Sequence, residues 1–143
     1  MQFSQIIGHA NLKSHLLDVV KSEKIPHAQL FIGPEGNGAL AMAIAFAQLI
    51  NCEKPTETDS CGICGACQKA KKMIHPDIHF TFPVIGKKEG KPPLSDDWIA
   101  EFRKSVLENP YLNEYDWLQK IKAENKQGNI TALEAKNILR KLS

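Results

Sequence analysis

Four cysteines lie within 16 consecutive residues of a 143-residue chain, and no other cysteine occurs in it. Their spacing is Cys52-x8-Cys61-x2-Cys64-x2-Cys67. Four thiolates at such spacing complete a tetrahedral shell around a metal, usually zinc, with no position left open for water. A segment held by a metal needs little hydrophobic core of its own. The spacing therefore predicts a structural zinc module at about residues 51–68.

Three other arrangements of this cluster compete with four-cysteine zinc. Three cysteines at x2 spacing also occur in iron–sulfur proteins, which typically add a cysteine followed by proline, and none follows Cys67. The thiols could instead be free or disulfide-linked, or His75 could replace Cys67 as the fourth ligand.

The first five residues, MQFSQ, do not begin a secretory signal. We therefore expect a cytoplasmic setting, where clustered cysteines usually bind a metal.

A strand, a glycine-rich loop and a helix are predicted in that order before the cysteines. The apolar run 28–32 (AQLFI) ends at Gly33-Pro34 and predicts a buried strand. The loop 33–38 leads into Ala39–Ile50, a helix that is apolar on nearly all sides. This order is typical of the start of a βαβ unit. A second strand is predicted at Ile78–Phe82.

The loop has the frame of a phosphate-binding P-loop but lacks its charged chemistry. In G-x-x-x-x-G-K-[ST], the lysine reaches the β- and γ-phosphates and the hydroxyl holds Mg²⁺. Gly33 and Gly38 occupy the frame positions, with Gly36 between them, but Ala39 and Leu40 stand in place of the lysine and the hydroxyl residue. We expect a degenerate P-loop with no catalytic residue and no bound ATP, whose glycines simply permit a tight turn.

Helices are predicted over much of the remaining chain. Leu12, Leu16 and Val19 lie on one face of a helix that ends before Pro26. Ser95 is predicted to cap a helix that ends at Asn109-Pro110, and a further helix is predicted at Tyr111–Glu124. A capping box, Thr131 and Glu134, begins the last helix, whose predicted buried face is Ala135, Ile138, Leu139 and Leu142.

Charge and apolar content limit the partners of the chain. Lys and Arg total 18 and Asp and Glu total 16, so the net charge of +2 gives no electrostatic case for nucleic acid or membrane as the main partner. The longest apolar run, residues 39–47, is shorter than the roughly 20 residues of a membrane span. Five aromatic residues could stack on bases, but their near-helical spacing favours a core or partner interface: Trp98, Phe102, Tyr111, Tyr115 and Trp117.

Several motifs resemble those of bacterial clamp-loader subunits of the AAA+ family. Residues 3–9 (FSQIIGH) are similar to F-x-x-I-I-G-[QH], and residues 27–36 (HAQLFIGPEG) resemble H-A-x-L-F-x-G-P-x-G, which runs into the P-loop of that family. The cysteine module and the His75-Pro76-Asp77 that follows it are also similar. The segment from Gly128 resembles the one before the Walker B strand. Residues 86–127 have no counterpart, and we expect a helical insertion there.

The resemblance implies a three-layer α/β, P-loop NTPase-like AAA+ domain with an inserted zinc module. Residues 1–143 would form its N-terminal part, and we expect the Walker B segment and a trans-acting arginine beyond Ser143. Sheet edges left without their partner strands predict association or domain swapping. Two subunit types share the module: the ATP-hydrolysing gamma/tau motor and the non-hydrolysing delta prime type. Ala39 and Leu40 depart from the motor and resemble the delta prime type.

For the delta prime type, the resemblance implies a stator in the DNA polymerase III clamp loader, which places the sliding clamp on primed DNA. The expected partners are the gamma/tau and delta subunits, with the clamp and primed DNA contacted indirectly. We expect no enzymatic activity from this chain itself. Two alternatives remain open: a clamp-loader ATPase with a degenerate P-loop, and an iron–sulfur module with a chance loop resemblance.

Overall fold

The chain folds into two helical units. The computed structural model describes residues 1–143, divided into Met1–Ile78 and His79–Ser143. Short 3-10 helices cover Phe3–Gln5 and Ser95–Trp98. None of the α-helices combines the length and apolar content that crossing a bilayer requires. The six α-helices are α1 (Ala10–Lys21), α2 (Ala39–Ile50), α3 (Gly65–Lys71), α4 (Ile99–Glu108), α5 (Glu114–Lys120) and α6 (Ala132–Leu142).

The sheet of the expected three-layer α/β domain is absent from this structure. The strand predictions at 28–32 and 78–82 are wrong here, and the one strand-like contact is an isolated antiparallel bridge between Val84 and Asn129. A strand requires a neighbour that pairs with its N–H and C=O groups. No backbone hydrogen bond joins residues 28–32 to another segment. Leu30 and Ile32 are consequently 82% and 80% exposed.

α2 forms the centre of the first unit, and its bounds are those predicted. A helix that is apolar on nearly all sides must be covered on nearly all sides. α1 and the first 3-10 helix supply that cover, and α1 confirms the predicted first helix. The unpaired segment 28–32 adds Phe31, whose ring centre lies 6.2 Å from that of Phe46. The buried cluster is Phe3, Ile6, Leu16, Leu17, Ala41, Met42, Ala45, Phe46 and Leu49.

Three aromatic rings organise the second unit. Phe82 stacks on Phe102 with ring centres 3.9 Å apart, and Trp117 meets both rings edge-on at 5.2 and 5.3 Å. The indole N–H of Trp117 donates to the Pro83 carbonyl at 2.7 Å, so this buried side chain has no unmet donor. Phe102 and Trp117 are therefore core residues, whereas Tyr115 is 68% exposed.

Ser95 does not cap the helix that follows it, which corrects the prediction. Its hydroxyl accepts from the Phe82 N–H at 3.1 Å and donates to the Phe82 carbonyl at 3.2 Å. Its own N–H donates to Glu134 Oε2 at 2.8 Å. The serine is therefore fully buried as a link between three segments, and α4 begins only at Ile99.

The other two helices predicted in this unit differ from expectation in part. α5 is shorter than the predicted Tyr111–Glu124 because Asn113 caps it, accepting from the Asp116 N–H at 2.7 Å. At α6, the Thr131 hydroxyl accepts from the Glu134 N–H as predicted. The Glu134 side chain turns inward to Ser95 instead of completing the capping box.

The buried side of α6 is polar, so the predicted apolar face is wrong. Glu134 and Asn137 are the buried residues of this helix because they bond to Ser95 and to the Asp96 carboxylate. Leu139 and Leu142 are left 69% and 71% exposed. The assignment of residues 86–127 as an insertion stays a prediction, and the boundary between the two units falls before it, after Ile78.

The exposed segment 28–32 predicts self-association. Its unpaired backbone groups and exposed Leu30 offer an edge to a second copy of the chain. Substitution Leu30→Lys should shift the protein towards monomer in light scattering over a concentration series, because a charge on the edge opposes pairing. Leu142→Lys, at a similarly exposed leucine on a helix, is the control and should change nothing. A wild-type protein that is monomeric at every concentration would contradict this expectation.

The aromatic cluster predicts a large cost for removing its central ring. Phe102→Ala should lower the free energy of unfolding by about 3–5 kcal/mol, because burial is lost and a cavity remains. Leu107→Ala, on the same helix but 54% exposed, should cost less than about 1 kcal/mol. Urea denaturation followed by tryptophan fluorescence measures both. Equal costs for the two variants would show that the cluster does not hold the second unit together.

Candidate metal centre and glycine-rich loop

The four cysteine sulfurs converge on one point. All four lie within 4.8 Å of one another, and the sulfurs of Cys61 and Cys67 are 3.9 Å apart. Metal–sulfur bonds of about 2.3 Å in a tetrahedron place sulfurs about 3.8 Å apart, so the cluster has the size of a metal shell. The four residues, Cys52, Cys61, Cys64 and Cys67, form the one group of metal-ligating side chains in the chain.

His75 lies outside this group. Its Nδ1 accepts from the Asp77 N–H at 3.1 Å, which makes it part of a local turn. The alternative shell in which His75 replaces Cys67 therefore has no support in the geometry. Cys67 is instead the most deeply buried of the four cysteines.

Backbone N–H groups point at the sulfurs. The Cys61 N–H donates to the Cys52 sulfur at 3.2 Å, and the Cys64 N–H donates to the Cys61 sulfur at 3.4 Å. Gly62 makes the turn possible by adopting a φ of +72°. The Cys67 N–H donates to the sulfur of Cys64, which caps the first turn of α3. Such bonds stabilise negative charge on sulfur.

The thiols differ in how readily they ionise. N–H donation from Ile63 and Cys64 lowers the pKa of Cys61 to about 6. Burial, together with hydrogen bonding to Cys64, raises the pKa of Cys67 to about 12, and burial also raises the pKa of Cys52. A divalent cation at the centre would favour the thiolate form of all four. The four cysteine side chains therefore suit a cation, whose positive charge would balance the thiolates.

Asp59 ties the cysteine module to the start of the chain. Its carboxylate accepts from the backbone N–H groups of Phe3 and Ser4 at 3.0 and 2.9 Å. Gln48 of α2 adds a second link, donating to the Ser60 hydroxyl at 3.0 Å and accepting from the amino terminus at 2.7 Å. Sequence reasoning missed Asp59 and Gln48, because partners that lie 12 to 56 residues away leave no local spacing signal.

The glycine loop is a tight turn directly before α2. Gly36 and Gly38 have φ values of +76° and +87°, which a side chain rarely tolerates, and Gly38 is the residue before the helix. Ala39 and Leu40 form the first residues of α2 and offer neither a charge nor a hydroxyl. The structure thus brings the predicted frame glycines into one turn and leaves the chemically active positions apolar.

Asn37, which sequence reasoning also missed, lies inside this loop. Its side-chain oxygen accepts from the Ala39 N–H at 3.0 Å, and its N–H donates to the Pro34 carbonyl at 3.2 Å. A cavity of about 360 Å³ lies beside it, bordered by α1, α2 and the exposed segment 28–32. An asparagine next to a helix start is the signal that could have identified it.

Comparison with known proteins places the chain among DNA polymerase III subunits. A sequence model of the DNA polymerase III, delta subunit family matches residues 8–138. The delta' subunit of Pseudomonas aeruginosa is 31% identical over 86 residues, which cover 60% of this chain and 25% of that protein. The gamma/tau subunit of Mycoplasma genitalium is 28% identical over 111 residues, covering 78% of this chain and 17% of that protein.

A plant protein, STICHEL-like 1 of Arabidopsis thaliana, is 30% identical over 96 residues, which cover 63% of this chain and 8% of that protein. The matched part of the chain thus spans a quarter or less of the length of these relatives. No solved structure gives a significant match. Because the family match covers most of the chain, the resemblance found in the motifs is confirmed at the family level: the chain belongs to the DNA polymerase III, delta subunit family.

Proposed function

We propose that this chain is the N-terminal part of a delta prime-like, non-hydrolysing subunit of the DNA polymerase III clamp loader. The observation that carries the proposal is the start of α2, where Ala39 and Leu40 replace the residues that hold the triphosphate and Mg²⁺. In this role the chain is a structural component, not an enzyme. Its partners are the gamma/tau and delta subunits, it serves the sliding clamp and primed DNA indirectly, and it works in the cytoplasm.

The physical argument against ATP chemistry rests on charge. The N–H groups of a glycine loop can approach an anion, but fixed positive charge is needed to offset a triphosphate. Losing one desolvated, charge-assisted phosphate contact costs about 2–5 kcal/mol. Glu35, exposed in the same loop, adds a negative charge. Because both the lysine and the metal-holding hydroxyl are replaced, no residue of the loop supplies the positive charge that would offset a triphosphate.

The gamma/tau motor is the second candidate, because the Mycoplasma genitalium gamma/tau subunit matches a larger share of the chain than the delta' relative does. The two candidates differ in one property: a motor must bind ATP with Mg²⁺. Calorimetric titration of the protein with MgATP into the millimolar range should give no saturable binding and no Mg²⁺-dependent hydrolysis. Saturable, Mg²⁺-dependent binding would contradict the delta prime-like proposal and favour the motor.

We also propose that Cys52, Cys61, Cys64 and Cys67 hold a structural zinc ion. Zinc accepts four thiolates in a closed tetrahedron and has no redox chemistry of its own, so such a site is a staple and not a catalyst. The convergence of the four sulfurs and the N–H groups aimed at them support this assignment. The metal would join the end of α2 to the start of α3, where the loop between has no apolar core.

Metal analysis tests the zinc proposal. Elemental mass spectrometry of the purified protein should find about one zinc ion per chain, in a colourless sample. Cys64→Ser should abolish stoichiometric zinc, because a three-thiolate shell is incomplete. Ile63→Ser is the matched control, since this neighbouring residue is 82% exposed and offers no ligand to the cluster, and it should retain the metal. Iron with visible absorbance would contradict the proposal and favour the iron–sulfur alternative.

A further inference from the structure

We propose that Asn37 closes the glycine-rich loop from within. Its side-chain amide lies inside the loop, and its oxygen accepts from the Ala39 N–H at the start of α2. The amide therefore prevents anions from binding to the loop. This inference rests on the proposed function, in which the loop binds no nucleotide. It adds a residue that holds the loop closed. Anion exclusion by this residue does not depend on the absence of the P-loop lysine.

The first support is the position of the amide. Its oxygen accepts from the Ala39 N–H at 3.0 Å, which is one of the N–H groups that a phosphate-binding loop leaves free for its ligand. The amide nitrogen lies so close to Gly33 that a Cβ built there would be 1.4 Å from it. Gly33 therefore has a specific role in this structure, because only a residue without a side chain leaves space for the Asn37 amide.

The second support is that the main chain of Asn37 is held as well. Its carbonyl accepts from Nε2 of His9 at 2.8 Å, and His9 is the residue directly before α1. Its N–H donates to the Pro34 carbonyl across the turn. The residue is thus bonded to the starts of both α1 and α2 and to the loop itself, so its side chain is directed at the loop by three separate contacts.

A plain helix cap is the simpler interpretation, and the chain contains a matched example of one. Asn113 caps α5 by accepting from the Asp116 N–H at 2.7 Å, and no glycine loop surrounds it. A cap alone predicts that Asn37→Ala and Asn113→Ala have the same kind of effect, each loosening its own helix start. Closure of the loop predicts in addition that substituting Gly33 has the same effect as substituting Asn37, and that the two effects do not add.

Amide hydrogen exchange measured by NMR tests that pairing. Asn37→Ala should make the Ala39 amide exchange about three- to tenfold faster, the range expected for losing one hydrogen bond. Gly33→Ala should have the same effect, because its Cβ displaces the amide, and the double variant should be no faster than either single variant. Asn113→Ala should leave Ala39 unchanged. Unaltered exchange in Asn37→Ala, or additive effects in the double variant, would overturn the closure.

Inorganic pyrophosphate tests whether closure excludes anions. Its addition should shift the amide resonances of Gly38 and Ala39 in Asn37→Ala and not in the wild-type protein. Equal shifts in both proteins, or no shift in either, would overturn the exclusion. The proposed function fails on a different result, namely MgATP binding by the wild-type protein, so the two failures are distinguishable.

Discussion

α2 is the element on which the functional features of the first unit depend. The glycine loop enters its first turn, Cys52 follows its last turn, and its apolar sides are covered by α1 and the N-terminal residues. Because the helix is buried nearly all round, its two ends are fixed relative to each other. α2 therefore holds the glycine loop at one end and the four cysteine sulfurs at the other in a fixed arrangement.

The second unit is held by a different kind of interaction. Its core is a small stack of aromatic rings, and its helices are joined by buried polar bonds through Ser95 and Glu134. The buried hydrogen bond from the Ser95 N–H to Glu134 Oε2 specifies one arrangement of segments more strictly than apolar contact does, because its length and direction are restricted. This polar link explains why α6 turns Glu134 and Asn137 inward and leaves leucines exposed.

Sequence reasoning succeeded where the determining contacts are local. The bounds of α2 follow from its composition and from Gly38, and the cysteine cluster follows from spacing alone. It failed for the strands, because strand formation depends on a pairing neighbour that no pattern within residues 28–32 can supply. It also missed Asp59 and Gln48, whose importance comes from partners brought close only by folding.

The link between Asp59 and the N–H groups of Phe3 and Ser4 has a consequence for the order of folding. These partners are separated by 56 and 55 residues, so closing that loop carries an entropic cost that local helix formation does not. Asp59 lies only two residues before Cys61, and organising the cysteines would fix it in place. The N-terminal segment would then dock late, onto an Asp59 carboxylate that the folded cysteine turn already holds in place.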